Sequence, residues 1–560
     1  MATVAGVADE RARGLARVAV GLATGAGIGL PGELALWGLA GGRPDGVDAI
    51  EAGDPAQALC DALERALTDG ERRRGAHYTP VEVAERVAAL ALPEGAAPAP
   101  VVDPACGGGA LLLGAARRLV ELGAAPAVVA RELLWGADLD PLAAAVTEAA
   151  IALWADGVAP EPGHLVGGDT LHGGAATWPA APPSGFGAVV GNPPFQGQLA
   201  RTTARSPSET ERLRVRFGRD AVGPYVDTAA LFLLSGVELA APGARVVMVQ
   251  PQSTVAARDA AGVRSALAER ARLVDLWAPR QRLFEARVHV CVPVLEVGSG
   301  DGPQDWSTLL ATARGVPAVD LGSDGRRRRL RRPARLGERA VVSATFRDHY
   351  YGLVPHVAEA PDGSLPDHPL VTSGLIGVAT CAWGVRPVRF AKRPWSRPMV
   401  DVEAARRERA RIDGWLDQVL RPKLVVASQT RVLEAAADAG GTWVPATPTL
   451  SVVPHDPGEL AHLVAAVCAP PAAAWMATRA AGTALSADTV RVSTGLLQAL
   501  PLPVDDGAWQ AAAHHLAAGD LEGYAEAATA MYDLGAGGAA VREWWLPLAR
   551  TTWLADRAVR

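Results

Sequence analysis

The sequence predicts an α/β domain built on a mostly parallel sheet, followed by a mixed α+β domain. Three observations predict it. From Val101 onward, short apolar runs alternate with amphipathic stretches of helical length, the pattern of strands joined by crossover helices. Several of those runs end in an acid, a glycine cluster or an Asn-Pro-Pro turn, where an open parallel sheet places its ligands. After about residue 345 the pattern changes to mixed strands and helices rich in proline.

Taken in order, residues 1–70 carry helical patterning with glycine-rich interruptions, as in PAQALCDALERALTDG from Pro55 to Gly70. PVVD (100–103) reads as a strand before a helix over 109–123, and LLWGAD (133–138) as a strand before a helix over 141–157. GAVVGNPP (187–194), a helix over 228–243 and ARVVMVQP (244–251) continue the alternation, and VHVCVPVLEVG (288–298) reads as a late strand beside the sheet. The polar, basic segment over 322–339 reads as a linker. The expected organisation is a helical segment 1–70, the α/β domain 71–320, a basic linker 321–345, a second domain 346–505 and a C-terminal helical segment 506–560. No convincing internal repeat is present.

At 560 residues and 49% hydrophobic, the chain has room for about three domains of roughly 100–200 residues. Its cores need no disulfides or structural metal. The five cysteines are scattered and form no CxxC pair, which speaks against a zinc ribbon and for a reducing compartment. The apolar stretch from Val18 to Trp37 is interrupted by Pro31 and Glu33, short of the about 20 apolar residues a membrane span needs. The N-terminus mixes acids with arginines, unlike a signal peptide. A soluble, cytoplasmic protein with no membrane partner is expected. Net charge is −6, unevenly spread: −11 over residues 1–200, +8 over 201–350 and −3 over 351–560. A basic middle in an acidic chain suggests an anionic partner. Only Lys392 and Lys423 are lysines.

Four sites carry chemistry. DPACGGGALL, from Asp103 to Leu112, joins a strand to a helix through glycines that let backbone approach a ligand. Its acid can bind an ammonium or hydroxyl. It is neither GxGxxG nor a GK[ST] loop. GADLDP places Asp138 at the next strand end, suited to ribose hydroxyls, with Asp140 a helix cap ahead of Pro141. Asp169 in GDTL can accept from an adenine amine or act as a turn residue. GNPPFQG, from Gly191 to Gly197, is the sharpest. Two prolines remove N–H donors. The Asn192 oxygen, the Pro193 carbonyl and the Phe195 ring then suit a planar substrate bearing an NH2 group.

Together these residues resemble the S-adenosylmethionine-dependent N6-adenine DNA methyltransferases of the gamma class, with GAHYTP (75–80) ahead of the glycine motif and extra sequence after the fold. The resemblance covers about 75–300 well. It reaches the C-terminal half weakly, through LRPKLVVASQTR (420–431) and VSTGLLQALPLP (492–503). It implies a doubly wound, Rossmann-like class I methyltransferase fold and a C-terminal target-recognition domain over 346–505. It implies S-adenosylmethionine as cofactor, held by Thr79, Pro80, Asp103, Ala105, Gly107, Asp138 and Asp169. It places Asn192, Pro193, Pro194 and Phe195 at the target base, with Phe284 as a second stacking aromatic or a core residue. No metal is required. His77 and Gly108 stand where the family has tyrosine and serine.

The implied activity is methyl transfer to N6 of a flipped-out adenine in duplex DNA, in a restriction–modification or related defence setting. Arg326, Arg327, Arg328 and Arg329 are candidate phosphate contacts or a solvated linker. The about 70 residues before the first motif leave little room for a fused nuclease, and a separate restriction endonuclease or defence subunit stays open as a partner. The alternative functions are a protein-glutamine or an RNA-base methyltransferase using the same Asn-Pro-Pro-Phe site.

Overall fold

The computed structural model describes residues 2–68, 79–196, 198, 204–279, 289–298, 300, 304–321, 333–361, 366–408, 410–483, 489–503 and 505–553. It divides into two compact units, Met1–Trp306 and Ser307–Arg560.

The first unit is built on an eight-stranded sheet. Its strands are β1 (Val101–Asp103), β2 (Leu134–Asp138), β3 (Leu165–Gly167), β4 (Phe186–Gly191), β5 (Ala240–Met248), β6 (Gln250–Pro251), β7 (Ala271–Trp277) and β8 (Val290–Val297). The order runs β3-β2-β1-β4-β5-β8, with β6 and β7 also paired to β8. The first five strands are parallel, and β8 runs antiparallel to its neighbours. This is the doubly wound fold expected from the alternating pattern. The order reverses between β1 and β4, and crossovers there diverge to leave a crevice beyond the carboxyl ends of the strands.

The strands read as unbroken apolar runs because both faces are covered. Val101, Val190 and Val247 join one core with six helices. These are α1 (Ala2–Ala26), α2 (Ala35–Ala40), α3 (Pro55–Arg65), α4 (Val81–Ala91), α5 (Ala110–Glu121) and α6 (Pro141–Trp154). Their strand neighbours Val102, Val189 and Val246 are buried and, by the two-residue alternation, point to the opposite face. The helices α7 (Thr170–Gly173), α8 (Thr228–Leu239) and α9 (Ala261–Ala268) contact one another in a separate layer. Residues between Ala12 and Leu63 thus contribute to the first unit's core. Leu22, Leu36 and Leu59 are in the same cluster as Val101 and Val190.

The second unit holds an antiparallel four-stranded sheet. It comprises β9 (Ala340–Ala344), β12 (Lys423–Ala427), β13 (Ala435–Asp438) and β14 (Thr449–Pro454), in the order β13-β12-β14-β9. A separate hairpin joins β10 (Val388–Phe390) to β11 (Arg393–Trp395). Strand β9 falls within the stretch that reads from sequence as linker. Val342 is buried and pairs with Val452, so sheet burial outweighs the basic residues that precede it. Helix α10 (Arg347–Leu353) precedes the hairpin in sequence. Helices α11 (Leu460–Val467), α12 (Pro470–Arg479), α13 (Asp506–Ala518), α14 (Leu521–Ala530) and α15 (Gly537–Arg550) complete the unit. All five supply residues to a core shared with the sheet. Among the described residues no single helix is long and apolar enough to cross a membrane. Residues of α11 and α12 pass such a test only as a pair bent by 67°, and both helices are largely buried.

Candidate active site

The four motifs read from the sequence end at the same edge of the sheet. Asp103 closes β1 and Asp138 closes β2, with Asp103 in register with Gly136. Asn192 follows β4 directly, and a Cβ placed on Gly191 would lie 3.6 Å from Asp103 Oδ1. Thr79 stands two residues before α4. A cavity of about 280 Å³ is lined by Thr79, Asp103, Ala105, Gly107, Asp138 and Asn192, together with neighbouring loop residues.

Asp103 is 1% exposed, and its Oδ1 accepts the Ala105 N–H at 2.9 Å. Burial pushes its carboxyl up from the ordinary 3.8 to about 7, against the pull of that bond, and the neighbouring Asp138 charge adds to the rise. Asp138 is raised by burial too, while N–H bonds from Asp140 and Gly107 oppose the shift. The Gly107 N–H donates to Asp138 Oδ2 at 3.0 Å and the Asp140 N–H to Oδ1 at 2.9 Å. Asp138 therefore stitches the glycine loop to the end of β2, as does the bond from Cys106 N–H to the Ala137 carbonyl at 2.9 Å.

Glycine is required at Gly109. It caps α5 at φ +93°, and a Cβ there would come within 2.9 Å of Thr147. Gly108 has a different reason. A Cβ would meet Cys60 Cα at 3.3 Å, and the Cys60 thiol donates to the Gly108 carbonyl at 2.8 Å. The departure from serine thus lets α3 lie directly on the loop.

The Asn192 amide donates to Thr79 Oγ1 at 3.0 Å, which turns its carbonyl oxygen away as an acceptor. Pro193 is buried, and Phe195 is half-buried with its ring against the main core. The turn is held from behind by Asp227, which accepts the Gln196 N–H at 3.0 Å while capping α8 through the Ala229 N–H.

Asp140 caps α6 through the Leu142 N–H and lies 3.4 Å from Arg11. Asp169 caps α7 through the His172 N–H at 3.1 Å and sits 2.7 Å from His172 Nδ1. Neither Asp169 nor Pro80 lines the cavity. Gly75 to Tyr78, Phe284 and Arg326 to Arg329 lie outside the described residues.

Sequence reasoning missed the far wall. Cys60, Leu63 and Leu67, with Glu64 and Arg11, line the same cavity. Its signal was present: Asp54 and Pro55 start a helix, and Cys60, Leu63 and Leu67 recur at helical spacing.

Residues 59–313 match the family model described as N-6 DNA Methylase. Over that segment the chain is similar to N-6 DNA methylases. No curated protein matches the chain. Among solved structures, a modification subunit assigned to a type I restriction enzyme of Vibrio vulnificus YJ016 is 18% identical over 46% of this chain and 52% of that one, with TM-score 0.35. The type IIL restriction-modification enzyme MmeI in complex with DNA is 12% identical over 92% and 83%, with TM-score 0.49. The type IIG restriction endonuclease BpuSI is 12% identical over 98% and 77%, with TM-score 0.43. The chain spans about half the length of the first of these.

The methyl donor of such methyltransferases is S-adenosylmethionine, and the residues fit it. Among the described residues neither Asp103 nor Asp138 has a cationic side chain paired with it, although both line one cavity. Buried carboxylates are stable as anions only with a cation or several donors nearby. A ligand carrying an ammonium, a sulfonium and ribose hydroxyls supplies both. The apolar wall from α3 suits the rest of its surface.

Proposed function

We propose that the chain methylates N6 of an adenine in duplex DNA at a specific sequence. It would act as the modifying enzyme of a restriction–modification or related defence system, with a separate endonuclease or defence subunit as partner and the cytoplasm as its compartment. The observation that carries this reading is the convergence of Asp103, Asp138 and Asn192 on one cavity at the β1/β4 reversal.

The proposed roles are these. Asp103 takes the ammonium of the cofactor, with Ala105, Gly107 and Thr79 along its length and Pro80 kept on the motif resemblance alone. Asp138 takes the ribose hydroxyls, and Asp169, which caps α7 outside the cavity lining, is proposed for the adenine amine on the motif resemblance alone. When bound, S-adenosylmethionine supplies a methyl group activated by its sulfonium. The Asn192 oxygen and the Pro193 carbonyl accept from the two hydrogens of the target amine. That favours a pyramidal nitrogen with a localised lone pair. Phe195 stacks on the base, with Pro194 fixing the turn between them, and Phe284 is proposed as the second stacking side chain. Positioning and preorganised acceptors supply most of the rate. The target base must leave the duplex at a cost of about a few kcal/mol. Contacts to the backbone, for which Arg326 to Arg329 are proposed, offset it.

The test is transfer of a tritiated methyl group to duplex DNA, with the product base identified by mass spectrometry. N6-methyladenine supports the reading. Label on cytosine N4, on RNA or on a protein glutamine, with none on duplex DNA, overturns it.

A further inference from the structure

Within the second unit, the hairpin β10–β11 carries Arg389, Lys392 and Arg393, in a basic stretch without acids. Residues 385–397, VRPVRFAKRPWSR, hold five basic residues and no acid. Arg386, Arg389, Lys392 and Arg393 are exposed. Some arginines elsewhere in this unit are paired: Arg339 with Glu459, Arg406 with Asp413 and Asp417, Arg550 with Glu522. Among the described residues no ion pair involves Arg389, Lys392 or Arg393.

The turn itself is unusual. Phe390 pairs with Arg393, so Ala391 and Lys392 form a two-residue loop, with φ of +50° and +64°. A loop needing positive φ at both positions is usually Asn-Gly, and other side chains are strained there. The hairpin bears that strain with a lysine at its tip. It is the chain's one lysine outside the core, since Lys423 is fully buried against Asp438.

The hairpin is firmly mounted. Phe390 is 3% exposed, and its ring lies 4.9 Å from that of Tyr350 on α10. The Trp395 indole donates to the Phe390 carbonyl at 3.0 Å. Beside it runs a cleft of about 400 Å³ lined by Arg389 and Lys392. The Thr372 hydroxyl also lines it, 5% exposed and with no hydrogen-bond partner among the described residues. An anionic partner in the cleft would satisfy that donor together with Arg389 and Lys392.

We infer that β10–β11 is a duplex-DNA contact of the second unit, with Lys392 and Arg393 on phosphates and Arg389 reading a base edge. A two-stranded ribbon fits the major groove, where an arginine can bind guanine with two hydrogen bonds. Arg389 and Arg393 lie on opposite faces of the ribbon by strand alternation, so one can read while the other anchors. This rests on the proposed action on DNA.

The experiment uses the full chain, a labelled pool of random-sequence duplexes over a salt series, and methylation mapped by long-read sequencing in an expressing host. Arg389→Gln, Lys392→Gln and Arg393→Gln together should flatten the slope of log affinity against log salt by about two to three units, near one per contact. Lys392→Gly should raise the melting temperature, because glycine relieves the turn, while flattening the slope by about one. Arg389→Lys should keep the slope but change the methylated motif, since lysine lacks the planar fork. If the triple variant melts early, the single variants are read by the same criteria. A wild-type slope and motif in these variants, while the wild type methylates duplex DNA, overturns the hairpin assignment alone. A wild type that binds only RNA or protein overturns both it and the proposed function.

Discussion

The cavity at the β1/β4 reversal and the β10–β11 hairpin each leave charge without an ion-pair partner among the described residues, in opposite settings. Asp103 is an anion buried to 1% exposure, whereas Arg389, Lys392 and Arg393 are cations in solvent. In a poorly solvated site an unpaired charge is costly, and the Asp103 carboxyl responds by rising to about 7. Such a site selects a small ligand that brings its own cation, and salt affects it little. Exposed cations cost little and are screened beyond about 10 Å at 0.1 M salt. They suit an extended polyanion bound through many weak contacts.

The largest effect expected is on turnover. Asn192→Ala should lower the methyl-transfer rate by about 10²–10³, as loss of one preorganised contact at a reacting centre does, while calorimetry finds S-adenosylmethionine affinity nearly unchanged. An equal loss of affinity would move Asn192 into the cofactor site. Asn192→Asp would keep an acceptor but lose the N–H donated to Thr79, and should also be poor.

Next in size is Asp138→Ala, which should weaken S-adenosylmethionine by roughly 10–150-fold, the equivalent of about 1.5–3 kcal/mol for a charge-assisted acceptor. A folded variant of unaltered affinity would place the ribose elsewhere.

Asp103 gives a pH signature. Its folded pKa, about 7, lies above its ordinary 3.8, so between those values the folded ligand-free chain binds more protons than the unfolded one. Its stability contribution is fullest below about 4 and is lost as pH rises through 7. Asp103→Asn should therefore raise the ligand-free melting temperature at pH 8 relative to wild type, with the gap closing toward pH 4. The same variant should bind S-adenosylmethionine more weakly at pH 8. Wild-type affinity should fall as pH drops below 7. Melting curves and titrations without this crossing would remove the cation role of Asp103.

The smallest effect is at Thr79. Thr79→Val removes the acceptor that orients Asn192, worth about 0.5–1.5 kcal/mol for a neutral bond, or roughly 2–10-fold in turnover. Thr79→Ser should restore it. A loss confined to cofactor affinity would return Thr79 to a purely cofactor-lining role.

Much of the site was legible because each motif sits on the end of its own strand. PVVD and GNPP announce both the strand and its terminus, and parallel pairing does the rest. The α3 wall was harder. Its helical stripe is visible, but nothing local says that Cys60 faces Gly108, 48 residues away. The basic hairpin was hidden by averaging: residues 351–560 sum to −3, and VRPVRFAKRPWSR disappears into that total.

The sequence by itself determined the alternation of strand and helix, the acids at two strand ends and the Asn-Pro-Pro turn, because these depend on short-range periodicity and backbone chemistry. Tertiary packing settled that residues between Ala12 and Leu63 share the first unit's core, that β9 is a strand within a basic stretch, and that Asn192 donates to Thr79. Those outcomes depend on contacts more than a hundred residues apart in the chain, such as Thr79 with Asn192 and Val342 with Val452. Their pairing is set by which buried surfaces and polar groups complete one another, and no window of sequence contains both partners.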